Sequence, residues 1–139
     1  MNKNFLKVAA FYSFTDLSNL EQLQKMFIKF LKKEDIKGTV LLACEGINGT
    51  VAGSESGIEN FKNFLKSNDL YNSHNFKTSS CADDPFPRLK VKLKNEIVSL
   101  GNELADPAKI VGEYVQPEDW NKLISQDDVL VLDLSLIHI

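Results

Sequence analysis

Two segments with helical spacing of apolar residues, each enclosed by short β-rich runs, constrain this chain more than any other feature. Leu6 to Phe14 (LKVAAFYSF) is β-rich and largely apolar, as a central strand should be. A helix is expected to open at Ser18, with Glu21 three residues on as a capping-box pair. Leu20, Leu23, Phe27, Phe30 and Leu31 fall on one face of it, while Gln24, Lys25, Lys29 and Lys32 fall elsewhere. Lys37–Ala43 reads as a second strand and Thr50–Ala52 as part of a third. A tight reversal is expected between them at Gly46 and Asn48-Gly49, residues that tolerate positive φ. A second helix follows with Ser56 and Glu59 as its capping pair, turning Ile58, Phe61, Phe64 and Leu65 inward. His74–Ser79 reads as a fourth strand.

The order strand, helix, strand, strand, helix, strand is that of an α+β, ferredoxin-like domain, an antiparallel sheet with two helices on one face. Asp83, Asp84, Pro85 and Pro87 mark a loop, after which Arg88–Lys94 and Glu96–Leu100 are expected to extend the sheet as a hairpin. Residues 1–105 are assigned to this domain. From Asp106 the character changes: Asp106-Pro107 and Gln116-Pro117 punctuate a connector, and Pro117 suits the first turn of a helix carrying Trp120, Leu123 and Ile124. Asp128–Asp133 (DVLVLD) reads as a buried parallel strand, an element that needs covered neighbours. Residues 106–133 therefore read as a linker and the truncated start of an α/β domain.

The net charge of −3 exerts no global pull on nucleic acid, so any such binding must come from a local patch. That patch is Arg88, Lys90, Lys92 and Lys94, which alternate with Leu89, Val91 and Leu93. A strand would line the four cations along one side, about 6–7 Å apart. The plainer explanation is the polar-out alternation of any half-buried strand, and spacing alone favours it. Phe11, Tyr12 and Phe14 could stack bases, although aromatic residues in a central strand are more often core. Glu45, unlike Gly46, Asn48 and Gly49, is not accounted for by turn geometry, and could cap backbone N–H groups or face a partner.

Other chemistries find little support. Cys44 is followed by Glu45, and Cys81 precedes Asp83 and Asp84, so neither thiol has the electropositive setting of a nucleophile. His74 has no ligand-spaced neighbour and His138 lies in the last six residues, so neither a metal nor a cofactor is expected. Acylphosphatase chemistry would need a phosphate cradle and an arginine near the first strand. The connection Ser13–Ser18 has no glycine and carries Asp16, and the only arginine is Arg88. With two cysteines, no export signal and no membrane-length apolar run, a reducing cytoplasm is the default location.

Three runs carry a family resemblance: GTVLLACEGINGTVAG (Gly38–Gly53), PFPRLKVKLKNEIVSLG (Pro85–Gly101) and GEYVQPEDWNKLI (Gly112–Ile124). Together they resemble the rhodanese-domain tRNA uridine hydroxylases (TrhO), over about Phe5 to Asp133. The resemblance implies oxygen-dependent hydroxylation of the wobble uridine at carbon 5. It also implies an acylphosphatase-like N-terminal domain placed ahead of a rhodanese domain whose loop carries the catalytic cysteine. No position here corresponds to that cysteine, so this chain alone is expected to be inactive. Because the implied substrate is RNA, the resemblance moves the basic stripe towards RNA binding. The expected partners are the tRNA anticodon arm and a rhodanese domain in cis, with no membrane. The rival expectation is a protein-interaction module that packs on a rhodanese sulfurtransferase domain without touching RNA. After Asp133 the chain departs from the family pattern, and Leu134–Ile139 (LSLIHI) looks like a translated library adapter, a non-native tail.

Overall fold

The computed structural model describes residues 5–97, 101, 102, 104, 109 and 112–132. Strand β1 (Leu6–Phe14) has the expected bounds and is an interior strand of the sheet. Helix α1 (Leu20–Lys33) buries Phe27 and Leu31, with Leu20, Leu23 and Phe30 packed beside them. Its start differs from the capping-box expectation. Asn19 is the N-cap, in the left-handed region at φ 54°, and no side chain caps the first turn. Ser18 falls one residue too early to do so.

Strands β2 (Lys37–Ala43) and β3 (Gly46–Gly53) pair antiparallel. The reversal between them is Cys44-Glu45, so Asn48 and Gly49 lie inside β3 rather than in a turn. Gly46 keeps the backbone role expected of it, at φ 146°. Gly49 serves packing instead: a Cβ there would sit 2.5 Å from the Thr39 carbonyl oxygen and 2.8 Å from Cζ of Phe11. The missing side chain is what lets the Phe11 ring lie across β3.

Helix α2 (Glu55–Ser67) is capped by Ser54, whose hydroxyl accepts from the Gly57 N–H at 3.0 Å, and not by Ser56. It buries Ile58, Phe61 and Leu65 as expected. A short 3-10 turn (Ser73–Asn75) leads into β4 (Phe76–Cys81), which starts two residues later than the sequence pattern suggests. The core joins both helices to the sheet through aromatic rings. Phe61 meets Phe11 at 5.2 Å between centroids, and Phe27 meets Phe64 at 5.2 Å, both edge-on.

Strand β5 (Leu89–Leu93) completes the sheet in the order β4-β1-β3-β2-β5. The ferredoxin-like expectation holds for β1 to β4, but the expected hairpin is not how the fifth strand joins. It runs parallel to β2, which makes the sheet mixed, and Val98–Leu100 of the expected return strand lie outside the described residues. The reason is geometric. Strands β4 and β5 occupy opposite edges, four spacings or about 19 Å apart. The seven residues from Ala82 to Arg88 can span roughly 26–29 Å when extended, so the connection must run nearly straight, as Pro85 and Pro87 favour. It is pinned midway by the Lys37–Asp84 ion pair at 2.8 Å and by the Gly38 N–H donating to the Arg88 carbonyl at 3.2 Å. Helix α1 reaches β5 as well. Gln24, which falls off the apolar face in the sequence pattern, donates from Nε2 to the Val91 carbonyl at 2.8 Å.

Beyond the sheet, a 3-10 turn (Pro117–Asp119) runs into a short helix α3 (Trp120–Ile124), as Pro117 suggests. Val129–Leu132 forms no strand, and Leu130 is 89% exposed. A parallel strand is stable only between covered neighbours, and the described residues offer it none. Leu134–Ile139 lies outside the described residues. No helix among the described residues is long and apolar enough to cross a membrane.

Candidate functional site

Both long helices cover one face of the sheet, and the other face is open. Strand alternation decides which residues it carries. In β5, Leu89 and Val91 pack into the core, so Lys90 and Lys92 stand on the open side, opposite Thr39 and Leu41 of β2. Arg88 and Lys94 continue the same alternation at the two ends of β5 and are exposed. The four cations proposed from sequence thus share the outer margin of one sheet face.

The same rule sorts the β1 aromatics. Phe11 is buried against Phe61 and stacks with Phe76. Tyr12 and Phe14 belong to the open face, with their ring centroids 5.8 Å apart and Phe14 38% exposed. Register places Tyr12 opposite Asn48, and Ala10 between Thr50 and Lys77. Tyr12, Asn48, Thr50, His74, Asn75 and Lys77 line a shallow depression of about 190 Å³. Lys77, His74 and Asn75 are residues that sequence reasoning did not connect with the stripe. Only the pairing of β4 with β1 brings them to the face, and nothing in the local pattern HNFK announces it. The Tyr114 hydroxyl reaches Tyr12 from the connector and raises the Tyr12 pKa, through that side-chain interaction first and burial second.

Glu45 has a definite structural task. Its carboxylate accepts the Ile97 N–H and so ties the segment after β5 back to the β2–β3 turn. The Glu45 carbonyl takes the Thr15 N–H at 3.0 Å, and the Cys44 carbonyl takes the Leu17 N–H at 2.8 Å. These two amides are therefore committed to the turn and unavailable for cradling a phosphate between β1 and α1. Fold without that cradle does not supply acylphosphatase chemistry. Cys44 is exposed in the turn, and the half-buried Cys81 donates from Sγ to the Asp83 carbonyl at 2.9 Å. Among the described residues, no three His, Cys, Asp or Glu side chains gather closely enough to hold a metal ion.

An open mixed sheet with two helices behind it defines a ferredoxin-like domain of the acylphosphatase-like type. The family described as "UPF0176 acylphosphatase like domain" matches residues 6–97, and the chain belongs to that family. The chain is 51% identical over 133 residues to a protein of Bartonella quintana (strain Toulouse) named tRNA uridine(34) hydroxylase, covering 96% of this chain and 43% of the relative. A protein of the same name from Agrobacterium fabrum (strain C58 / ATCC 33970) is 46% identical over 126 residues, 91% of this chain and 40% of the relative. The chain thus spans less than half the length of these curated relatives. Among solved structures, the dark state of the BLUF protein BlrB superposes with a TM-score of 0.52 at 11% identity, over 66% of this chain and 74% of that one. That likeness concerns the fold alone.

Proposed function

We propose that this chain is the N-terminal part of a tRNA wobble-uridine hydroxylase, in which it positions the tRNA while the reaction takes place elsewhere in the polypeptide. The observation that carries the reading is the basic margin: Arg88, Lys90, Lys92 and Lys94 share one side of β5, on a sheet face the helices leave open. Their repeat of about 6–7 Å suits contacts with successive phosphates. The names of the relatives supply the reaction class, and their greater length leaves room for a catalytic unit. In this reading residues 106–133 begin that unit, and the apolar run Val129–Leu132 becomes its first buried strand once neighbouring strands are present. The domain itself contributes no reactive group; a rhodanese loop in cis would supply the cysteine, and the anticodon arm would present the uridine in a loop where bases can splay out.

Replacing Lys90, Lys92 and Lys94 together by Glu in the full-length hydroxylase tests this. Affinity for tRNA should fall at least tenfold, since each phosphate contact contributes a counterion-release term. Unchanged affinity would remove RNA positioning as the role of this strand. Hydroxylation by residues 1–133 alone would show that the chemistry resides in this domain after all.

A further inference from the structure

The basic margin occupies one edge of the open face, whereas Lys77 stands on β4 at the opposite edge, about 19 Å away across four strand spacings. Between these edges lie the Tyr12–Phe14 ring pair and the depression beside it. Among the described residues, the side-chain amides of Asn48 and Asn75 and the imidazole of His74 make no hydrogen bond within the protein, so their donors and acceptors remain available. Two acids of the sheet margin are engaged. Asp84 pairs with Lys37, and Glu45 holds the Ile97 N–H. A chain of net charge −3 thus presents a locally cationic face with two aromatic rings at its centre.

We infer that this face binds unpaired nucleotides of RNA: bases stack on Tyr12 and Phe14, Asn48 and Asn75 meet a base edge in the depression, and phosphates run between Lys77 and the β5 lysines. This rests on the RNA-positioning reading above and adds which part of the RNA is held, a single-stranded loop and not a duplex stem. The chemistry favours this occupant over a protein partner. Stacking accepts any base, because every base has a π-face, and the two rings offer room for one or two bases. Duplex RNA hides its base faces and would use the cations alone.

The experiment compares binding of the 139-residue chain to a fluorescein-labelled oligouridylate of about seven nucleotides, within the usual single-strand site sizes, and to a duplex RNA of equal charge. Tyr12→Ala and Phe14→Ala should each weaken the single strand about tenfold, the effect expected for losing one stacked base, while the duplex is unaffected. Tyr12→Phe should bind like the parent chain. Because Tyr12→Ala could disturb the sheet, a second measurement uses Phe14→Trp in a Trp120→Phe background, where oligouridylate should quench the new indole. If Lys90→Glu/Lys92→Glu lowers oligouridylate affinity but the aromatic variants and the quenching do not respond, the stacking inference is wrong and RNA positioning stands. If neither set responds, or the parent chain does not bind oligouridylate at low salt, both fall. Loss of affinity in the aromatic variants alone would keep the stacking face and remove the role of β5.

Discussion

Neutralising two cations of β5 should change the salt dependence of RNA binding by an amount set by their number. Arg88, Lys90, Lys92 and Lys94 follow one side of the strand, so a single strand of RNA laid along it can offer one phosphate to each. Each contact contributes about −0.7 to the slope of log affinity against log salt, and four give roughly −2.8. Between 50 and 200 mM salt that corresponds to about a 50-fold loss. Lys90→Gln/Lys92→Gln keeps long polar side chains but removes two contacts. The slope should become shallower by about 1.4, and the share of the loss due to β5 should shrink to about sevenfold. Fluorescence anisotropy of tRNA across a KCl series reads this directly, and the difference between variants is independent of whatever Lys77 adds. Lys25→Gln/Lys29→Gln, on the exposed side of α1, is the control and should leave the slope unaltered. A slope that does not move in the β5 variant, or that moves equally in the α1 control, would refute the assignment of phosphate contacts to this strand.

Three further outcomes are expected. Phe61→Ala should cost about 3–5 kcal/mol, because the ring lies against Phe11, Phe27, Phe30, Phe64 and Phe76 and joins both helices to the sheet. Urea unfolding checks this, and a loss below about 1 kcal/mol would contradict the packing described. Gly49→Ala should cost about 1–3 kcal/mol by the same measurement, since the new methyl would meet the Thr39 carbonyl at 2.5 Å. The Lys37–Asp84 pair should show in titration. The hydrogen bond from Lys37, then the Phe86 N–H, lowers the Asp84 pKa below its ordinary 3.8, and the Asp84 carboxylate raises that of Lys37 above 10.5. The Asp84 contribution to stability is therefore present above its unfolded pKa and fades as pH falls through the folded one. The Lys37 contribution is present below its unfolded pKa and fades as pH rises through the folded one. In Lys37→Met the Asp84 carboxyl midpoint, followed by carbon NMR, should move up towards 3.8, and an unmoved midpoint would count against the pair.

Local pattern was sufficient for β1, β2 and the inward faces of both long helices, because burying an apolar stripe leaves a period that can be counted. It failed where two local signals competed. Ser18 and Ser56 each have a glutamate three residues on, yet α1 starts after Asn19 and α2 after Ser54. Asn48-Gly49 has turn chemistry but is drawn into β3, because the Cys44-Glu45 reversal and the Phe11 ring both require it there. The β5 alternation was legible, while its parallel pairing with β2 was not, since no residue in Arg88–Lys94 records which edge is vacant.

The sequence by itself determined the αβ order, the core residues and the existence of a cationic strand, all of which follow from periodicity along one segment. Tertiary structure alone decided that Tyr12 and Phe14 face the same side as Lys77 and Lys90 while Phe11 does not. Those residues come from three strands and are brought to one face only through strand register. Register is settled by the sum of cross-strand packing and hydrogen bonds over the whole sheet, and no single segment contains that sum.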